Sequence, residues 1–135
     1  MVMSHLIEIG FLDDQRVRHE QLYAVGSRIH HFYSGEEVVE WITTPQNPTL
    51  DLLCLDHDLG VGLMTGVELV HFLLTRPKRE QPKYVLVHSW NPPGATFMTK
   101  LLAEGGIPTG RFAFSADKGW LGKAVLHYAG IPTHH

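Results

Sequence analysis

Leu50-Asp51-Leu52-Leu53-Cys54-Leu55-Asp56-His57-Asp58 is the stretch that decides how this chain folds. A near-continuous apolar run is followed, without a spacer, by three ionisable residues. Six residues are too few for an ordinary helix, and their continuity suits a strand covered on both faces, as strands of parallel sheets are. The abrupt change to Asp-His-Asp puts polar side chains at the strand's carboxyl end, where open α/β sheets bind their ligands.

Working outward from this strand, the same pattern recurs. Upstream, Leu6 to Leu12 is a second run, and it ends at Asp13-Asp14. From Asp14 to Val25 the period becomes helical, with Val17, Leu22 and Val25 apolar among charged residues and Gly26 as the stop. Ile29 to Tyr33 reads as a short strand. Ser34-Gly-Glu-Glu37 then has capping-box spacing and opens a helix carrying Val38, Val39, Trp41 and Ile42, after which Pro45 and Pro48 mark a loop. Downstream, Thr65-Gly-Val-Glu68 repeats the capping-box spacing and starts a helix through Leu74 that stops before Pro77. Tyr84 to Val87 is a fourth strand. Asn91-Pro-Pro-Gly turns into a helix with Phe97, Met98, Leu101 and Leu102 on one face, ended by Gly105-Gly106. Phe112 to Phe114 is a fifth strand, and Gly119 to Tyr128 a last helix.

Five strands alternating with five helices predict an α/β three-layer sandwich around a mostly parallel sheet with right-handed crossovers, in the strand order 2-1-3-4-5. The 135 residues suit one domain over positions 1–135, and there is no internal repeat. The hydrophobic content of 44% is that of a globular chain. The apolar stretches are too short to span a bilayer, and Met1 to Ser4 lacks the basic and apolar regions of a secretory signal, so a cytoplasmic location is expected. A net charge of −3 argues against general affinity for a nucleic-acid backbone, leaving room only for a local basic patch. The one cysteine, Cys54, lies inside the central strand and reads as a buried thiol rather than a nucleophile.

In this strand order the ligand crevice falls between strands one and three. Strand one ends in Asp13-Asp14 and strand three in Asp56-His57-Asp58; strand four ends in His88-Ser89-Trp90-Asn91, and strand five is followed by Ser115, Asp117 and Lys118. Four strands therefore deliver ionisable groups to one edge. Asp13, Asp14 and Asp56 form a carboxylate set suited to a divalent cation, Mg²⁺ by its hard oxygen donors or Mn²⁺ given the neighbouring histidines. His57 and His88 are the side chains best able to exchange protons near neutral pH, and Asp58 is placed to orient His57. Ser89 and Asn91 can bind phosphate oxygens, Trp90 can wall the pocket or stack on a base, and Lys118 can contact an anion. Asn91-Pro92 also reads as an ordinary helix start. His5, His19, His30, His31, His71 and His127 fall away from this edge and read as surface or packing residues; Trp41 reads as core.

The acidic pair after strand one, Asp56 at the end of strand three, the hydroxyl of Ser89 after strand four and Gly66 at the start of the third helix together resemble a response-regulator receiver domain. The chain departs from that pattern in His57-Asp58-Leu59-Gly60 after the aspartate, in His88 before the hydroxyl residue, and in lacking a lysine at the end of strand five, where Lys118 is the nearest substitute. Leu55-Asp-His-Asp-Leu-Gly60 and Val87-His-Ser-Trp-Asn91, with Gly94-Ala95, are similar to the divergent receiver-like family described as cyclic-phosphate-processing receiver domains. That resemblance implies a phosphoesterase acting on a cyclic phosphate, carried by a nucleotide or an RNA end. The alternative is a non-enzymatic receiver-like signalling or binding module, with Asp56 as phosphoacceptor.

Overall fold

The computed structural model describes residues 7–12, 27–56, 64–89 and 92–113. Five strands, β1 (Ile7–Leu12), β2 (Ser27–Phe32), β3 (Leu52–Asp56), β4 (Val85–Ser89) and β5 (Thr109–Ala113), form one sheet in the order β2-β1-β3-β4-β5. Every neighbouring pair is parallel. The helices are α1 (Gly35–Thr43), α2 (Gly66–Leu74) and α3 (Pro92–Glu104). The helices expected over Asp14 to Val25 and Gly119 to Tyr128 lie outside the described residues.

Strand alternation divides the core. Leu12, Phe32, Leu53, Leu55, Val85 and Val87 face one side and pack in a single cluster with Val38 and Ile42 of α1, Leu69, Val70 and Leu73 of α2, and Met98 and Leu102 of α3. On the other side Ile9, Phe11, Leu52, Cys54 and Leu86 are no more than 2% exposed. Both faces are thus covered, and the sheet is the middle layer of a three-layer α/β sandwich. This explains why β3 reads as a continuous apolar run. Each fully buried Leu contributes about 1.5–3 kcal/mol of hydrophobic stabilisation, so the sheet's interior residues dominate the fold's energetics.

The helix ends follow local chemistry. Thr65 caps α2 by accepting from the Glu68 N–H at 3.1 Å, while Glu68 Oε1 accepts from the Thr65 N–H at 2.8 Å. At α1, Ser34 accepts from the Glu37 N–H, but the Glu37 carboxylate turns to the Tyr33 N–H at 3.3 Å, one residue earlier than in a full capping box. α3 ends where the Gly pair predicts. Gly106 has φ of +89°, its N–H reaches the Ala103 carbonyl, and the Ile107 N–H reaches Leu102 at 2.9 Å. This is a Schellman closure, sealed by the apolar pair Leu102 and Ile107, both buried.

Strand boundaries differ from the sequence reading: β3 covers Leu52–Asp56 rather than Leu50–Leu55, and β4 covers Val85–Ser89 rather than Tyr84–Val87. β2 begins at Ser27 rather than Ile29, and β5 at Thr109 rather than Phe112. In β2 and β5 the early residues form no apolar run and are recruited by pairing. Thr109 and Gly110 align with Val85 and Leu86, and the Thr109 hydroxyl donates to the Val85 carbonyl at 2.7 Å.

Candidate functional site

Parallel strands bring all their carboxyl ends to one edge, and the registers define how level that edge is. Leu12 of β1 is the partner of Leu55 in β3. One residue further along β3, Asp56 is the partner of His88 in β4. His88 and Ser89 pair in turn with Phe112 and Ala113 of β5. The backbones of Asp56 and His88 therefore sit side by side on adjacent strands, about 4.8 Å apart as hydrogen-bonded strands are. β1 has β2 on one flank and β3 on the other, so the reversal of strand order, and with it the expected crevice, falls next to Asp56.

Of the sequence-derived site residues, Asp56, His88 and Ser89 are thus brought to one edge. Asp13, Asp14, His57, Asp58, Trp90, Asn91 and Lys118 lie outside the described residues. Asp13 follows Leu12 directly in the chain and His57 follows Asp56. α3 begins at Pro92, three residues beyond Ser89, with proline in the first helical position as expected. Among the described residues, no group of three or more His, Cys, Asp or Glu side chains is placed to hold a metal ion. Nor is any of their helices long and apolar enough to cross a membrane.

Cys54 lies one register step behind the partner of Leu12, wholly buried, and burial pushes its thiol up to about 12. It is a packing residue, in keeping with its sequence context. The histidines that the sequence sets apart from the crevice are surface or packing residues where they are described. His30 lies 4.3 Å from the Trp41 ring, His31 stacks on Tyr33 at 4.1 Å, and His71 is exposed on α2. Trp41 is only partly buried, lying against the core with its indole N–H donating to the Pro48 carbonyl at 3.3 Å.

A second polar cluster escaped the sequence reading. Glu8, 8% exposed, pairs with His30 Nε2 at 2.7 Å and lies 3.8 Å from Arg28. Its main chain is tied to Asp51 in both directions: the Glu8 N–H donates to Asp51 Oδ2 at 2.8 Å, and the Asp51 N–H donates to the Glu8 carbonyl at 2.7 Å. Asp51 also pairs with Lys83 at 3.2 Å. The signal was parity: Glu8, Arg28 and His30 share the alternation of Leu12 and Phe32 and so face the helix-covered side. In the sequence, Ile-Glu-Ile looks like an ordinary strand with one solvated charge.

The sequence matches the family described as cyclic-phosphate processing receiver domain over residues 9–104, more than two-thirds of the chain. No curated protein matches it. Among solved structures, one described as a yeast Spc42 trimeric coiled coil, amino acids 181–211, fused to another structure superposes with a TM-score of 0.67 at 20% identity, covering 96% of this chain and 81% of that one. At that identity the likeness concerns the fold alone. With the strand order, the edge carrying Asp56 and His88 and the family match in agreement, the chain belongs to the cyclic-phosphate processing receiver domain family.

Proposed function

We propose that the protein is a phosphoesterase that opens a cyclic phosphate on a nucleotide or RNA end by acid–base chemistry at the carboxyl edge of the sheet. The observation that supports this most is the pairing of Asp56 with His88 at the ends of β3 and β4, next to the reversal of strand order. His57, the residue after Asp56, takes a proton from the attacking water. His88 gives one to the alkoxide that leaves when the ring P–O bond breaks, so the products are a phosphomonoester and a free hydroxyl. The two histidines exchange roles if the substrate binds the other way round. Asp58 orients His57; Ser89 and Asn91 hold the non-bridging oxygens, Trp90 flanks the base, and Lys118 adds a positive charge.

Asp13, Asp14 and Asp56 would hold a divalent cation, Mg²⁺ or Mn²⁺; the fit rests on the chemistry of an all-carboxylate set, of which Asp13 and Asp14 follow Leu12 in the chain and Asp56 ends β3. When bound, such an ion supplies charge neutralisation on the phosphoryl group. Each proton-transfer residue is expected to contribute about 10²–10⁴ in rate. His57→Ala and His88→Ala should each abolish turnover of 2′,3′-cyclic mono- and oligonucleotides while the circular dichroism spectrum is retained. Full activity of either variant overturns the assignment, and a chelator arm separates metal-assisted from metal-independent chemistry.

The second reading is a non-enzymatic signalling or binding module, favoured by the position of Asp56 at the end of the central strand of a receiver-type sheet. Incubation with acetyl phosphate and Mg²⁺ followed by intact mass distinguishes the two: a covalent adduct lost in Asp56→Asn, without turnover of any cyclic phosphate, selects the module.

A further inference from the structure

The opposite edge of the sheet carries a different kind of chemistry. A cleft of about 310 Å³ opens there between the segments that lead into β3, β4 and β5. Its apolar floor is formed by Ile107 and Pro82, both buried, with Pro108 beside them. Its rim carries Lys78, Arg79 and Lys83, all exposed. The segment Arg76-Pro-Lys-Arg-Glu-Gln-Pro-Lys83 holds four of the chain's 11 basic residues and one acid, in a protein whose net charge is −3. Arg76 is consumed by Glu80, with contacts of 2.8 and 3.1 Å, and Lys83 is shared with Asp51. Lys78 and Arg79 form no ion pair among the described residues. Arg79 acts on the Glu80 carboxylate only as a weaker attraction beyond ion-pair distance, so the rim keeps an excess of positive charge, and such charge beside low-dielectric walls attracts anions.

The cleft also has a polar group with an orientation fixed by its neighbours. The Gln81 amide N–H groups donate to the carbonyls of Leu73 at 3.0 Å and Arg76 at 3.1 Å. This holds the side chain in place and leaves its Oε1 as an acceptor without a donor among the described residues. The cleft therefore combines an anion-attracting rim, an apolar floor and one fixed acceptor, in a volume at the small end of the range for ligand pockets, about 300–1,000 Å³.

We propose that this cleft binds a small phosphorylated ligand with a flat, amino-bearing apolar body, of the nucleoside monophosphate class. Its phosphate lies at Lys78 and Arg79 and its base on Pro82, Ile107 and Pro108, within reach of Gln81 Oε1. The site is about 16 Å from the Asp56–His88 edge, the length of a five-residue strand, and its occupancy does not depend on any reaction there.

The test is a titration of the ¹⁵N-labelled full chain, followed by amide shifts, with AMP, adenosine, inorganic phosphate and a single-stranded oligoribonucleotide. AMP is expected to shift Thr49, Gln81, Gly106 and Ile107 saturably and more tightly than adenosine or phosphate alone. In Lys78→Glu/Arg79→Glu its affinity should fall by about tenfold or more. Gly106→Asn, which keeps the left-handed turn but adds a side chain at the cleft, should weaken binding without unfolding the chain. Shifts confined to Asp56, His88 and their neighbours overturn the inference while leaving the proposed phosphoesterase untouched. It is equally overturned if those four amides do not respond to AMP up to about 10 mM, if they respond as strongly to phosphate alone, or if they respond only to the oligonucleotide.

Discussion

Gly105 and Gly106 adjoin in the chain, yet the structure assigns opposite reasons for glycine at each. At Gly106, φ is +89° and nothing lies within 4 Å of where a Cβ would stand. Gly106→Ala therefore meets no steric conflict, and its cost is that of a left-handed backbone, about 1–2 kcal/mol. Asn tolerates that conformation better, so Gly106→Asn should cost roughly half as much. At Gly105 the backbone is not left-handed, but an added Cβ would overlap Leu74 Cδ2 of α2. The cost of Gly105→Ala is overpacking, about 1–3 kcal/mol, and it should shrink when Leu74 is cut back to Ala. Equilibrium urea unfolding followed by far-UV circular dichroism gives the four corners of each double-mutant cycle. The cycle of Gly105 with Leu74 should show a coupling of about 1 kcal/mol or more, and that of Gly106 with Leu74 close to zero. Rescue of Gly106→Ala by Leu74→Ala, or equal costs for Ala and Asn at position 106, would refute this division between conformation and packing.

Two further outcomes follow from named contacts. Thr65→Ala should destabilise the protein by about 1 kcal/mol by leaving the Glu68 N–H without its cap, and Glu68→Ala added to it should cost less than it does alone, as read by urea midpoints. The buried Cys54 thiol should resist Ellman's reagent at pH 8 until the protein unfolds. Because burial raises its folded-state value to about 12 from 9.0, the unfolded chain gives up this proton first as pH rises. The stability linked to Cys54 is therefore complete below pH 9 and declines between pH 9 and about 12. Cys54→Ala should flatten that decline in pH-dependent unfolding curves.

The parts of the fold that were legible in the sequence are those fixed by short-range chemistry. Thr65 and Glu68 announce α2, Gly105-Gly106 end α3, and the apolar run before Asp56 announces the central strand. From these the strand order followed as the familiar one for five alternating strand–helix units. The start of β5 was hidden because Thr109 and Gly110 owe their extended conformation to pairing with β4, which no local pattern reveals. The role of Glu8 was not legible for a related reason. A lone charge between two isoleucines looks solvated until the partner strand supplies His30 and Arg28 on the same face. For the site, the alignment of Asp56 with His88 followed from the polar ends of two predicted strands, whereas the cleft beneath β4 and β5 arises from three loops with no shared motif.

The reciprocal tie between Glu8 and Asp51 acts as a datum line for the whole molecule. Leu12 stands four positions after Glu8 and Leu55 four positions after Asp51, so fastening the first pair brings the second into line. A slip of one residue would turn every side chain of β1 to the wrong face. Chemistry at the far rim is thus levelled by the Asp51 carboxylate and N–H and the main chain of Glu8, which take no part in it, and loosening this tie should misalign the rim before it melts the core.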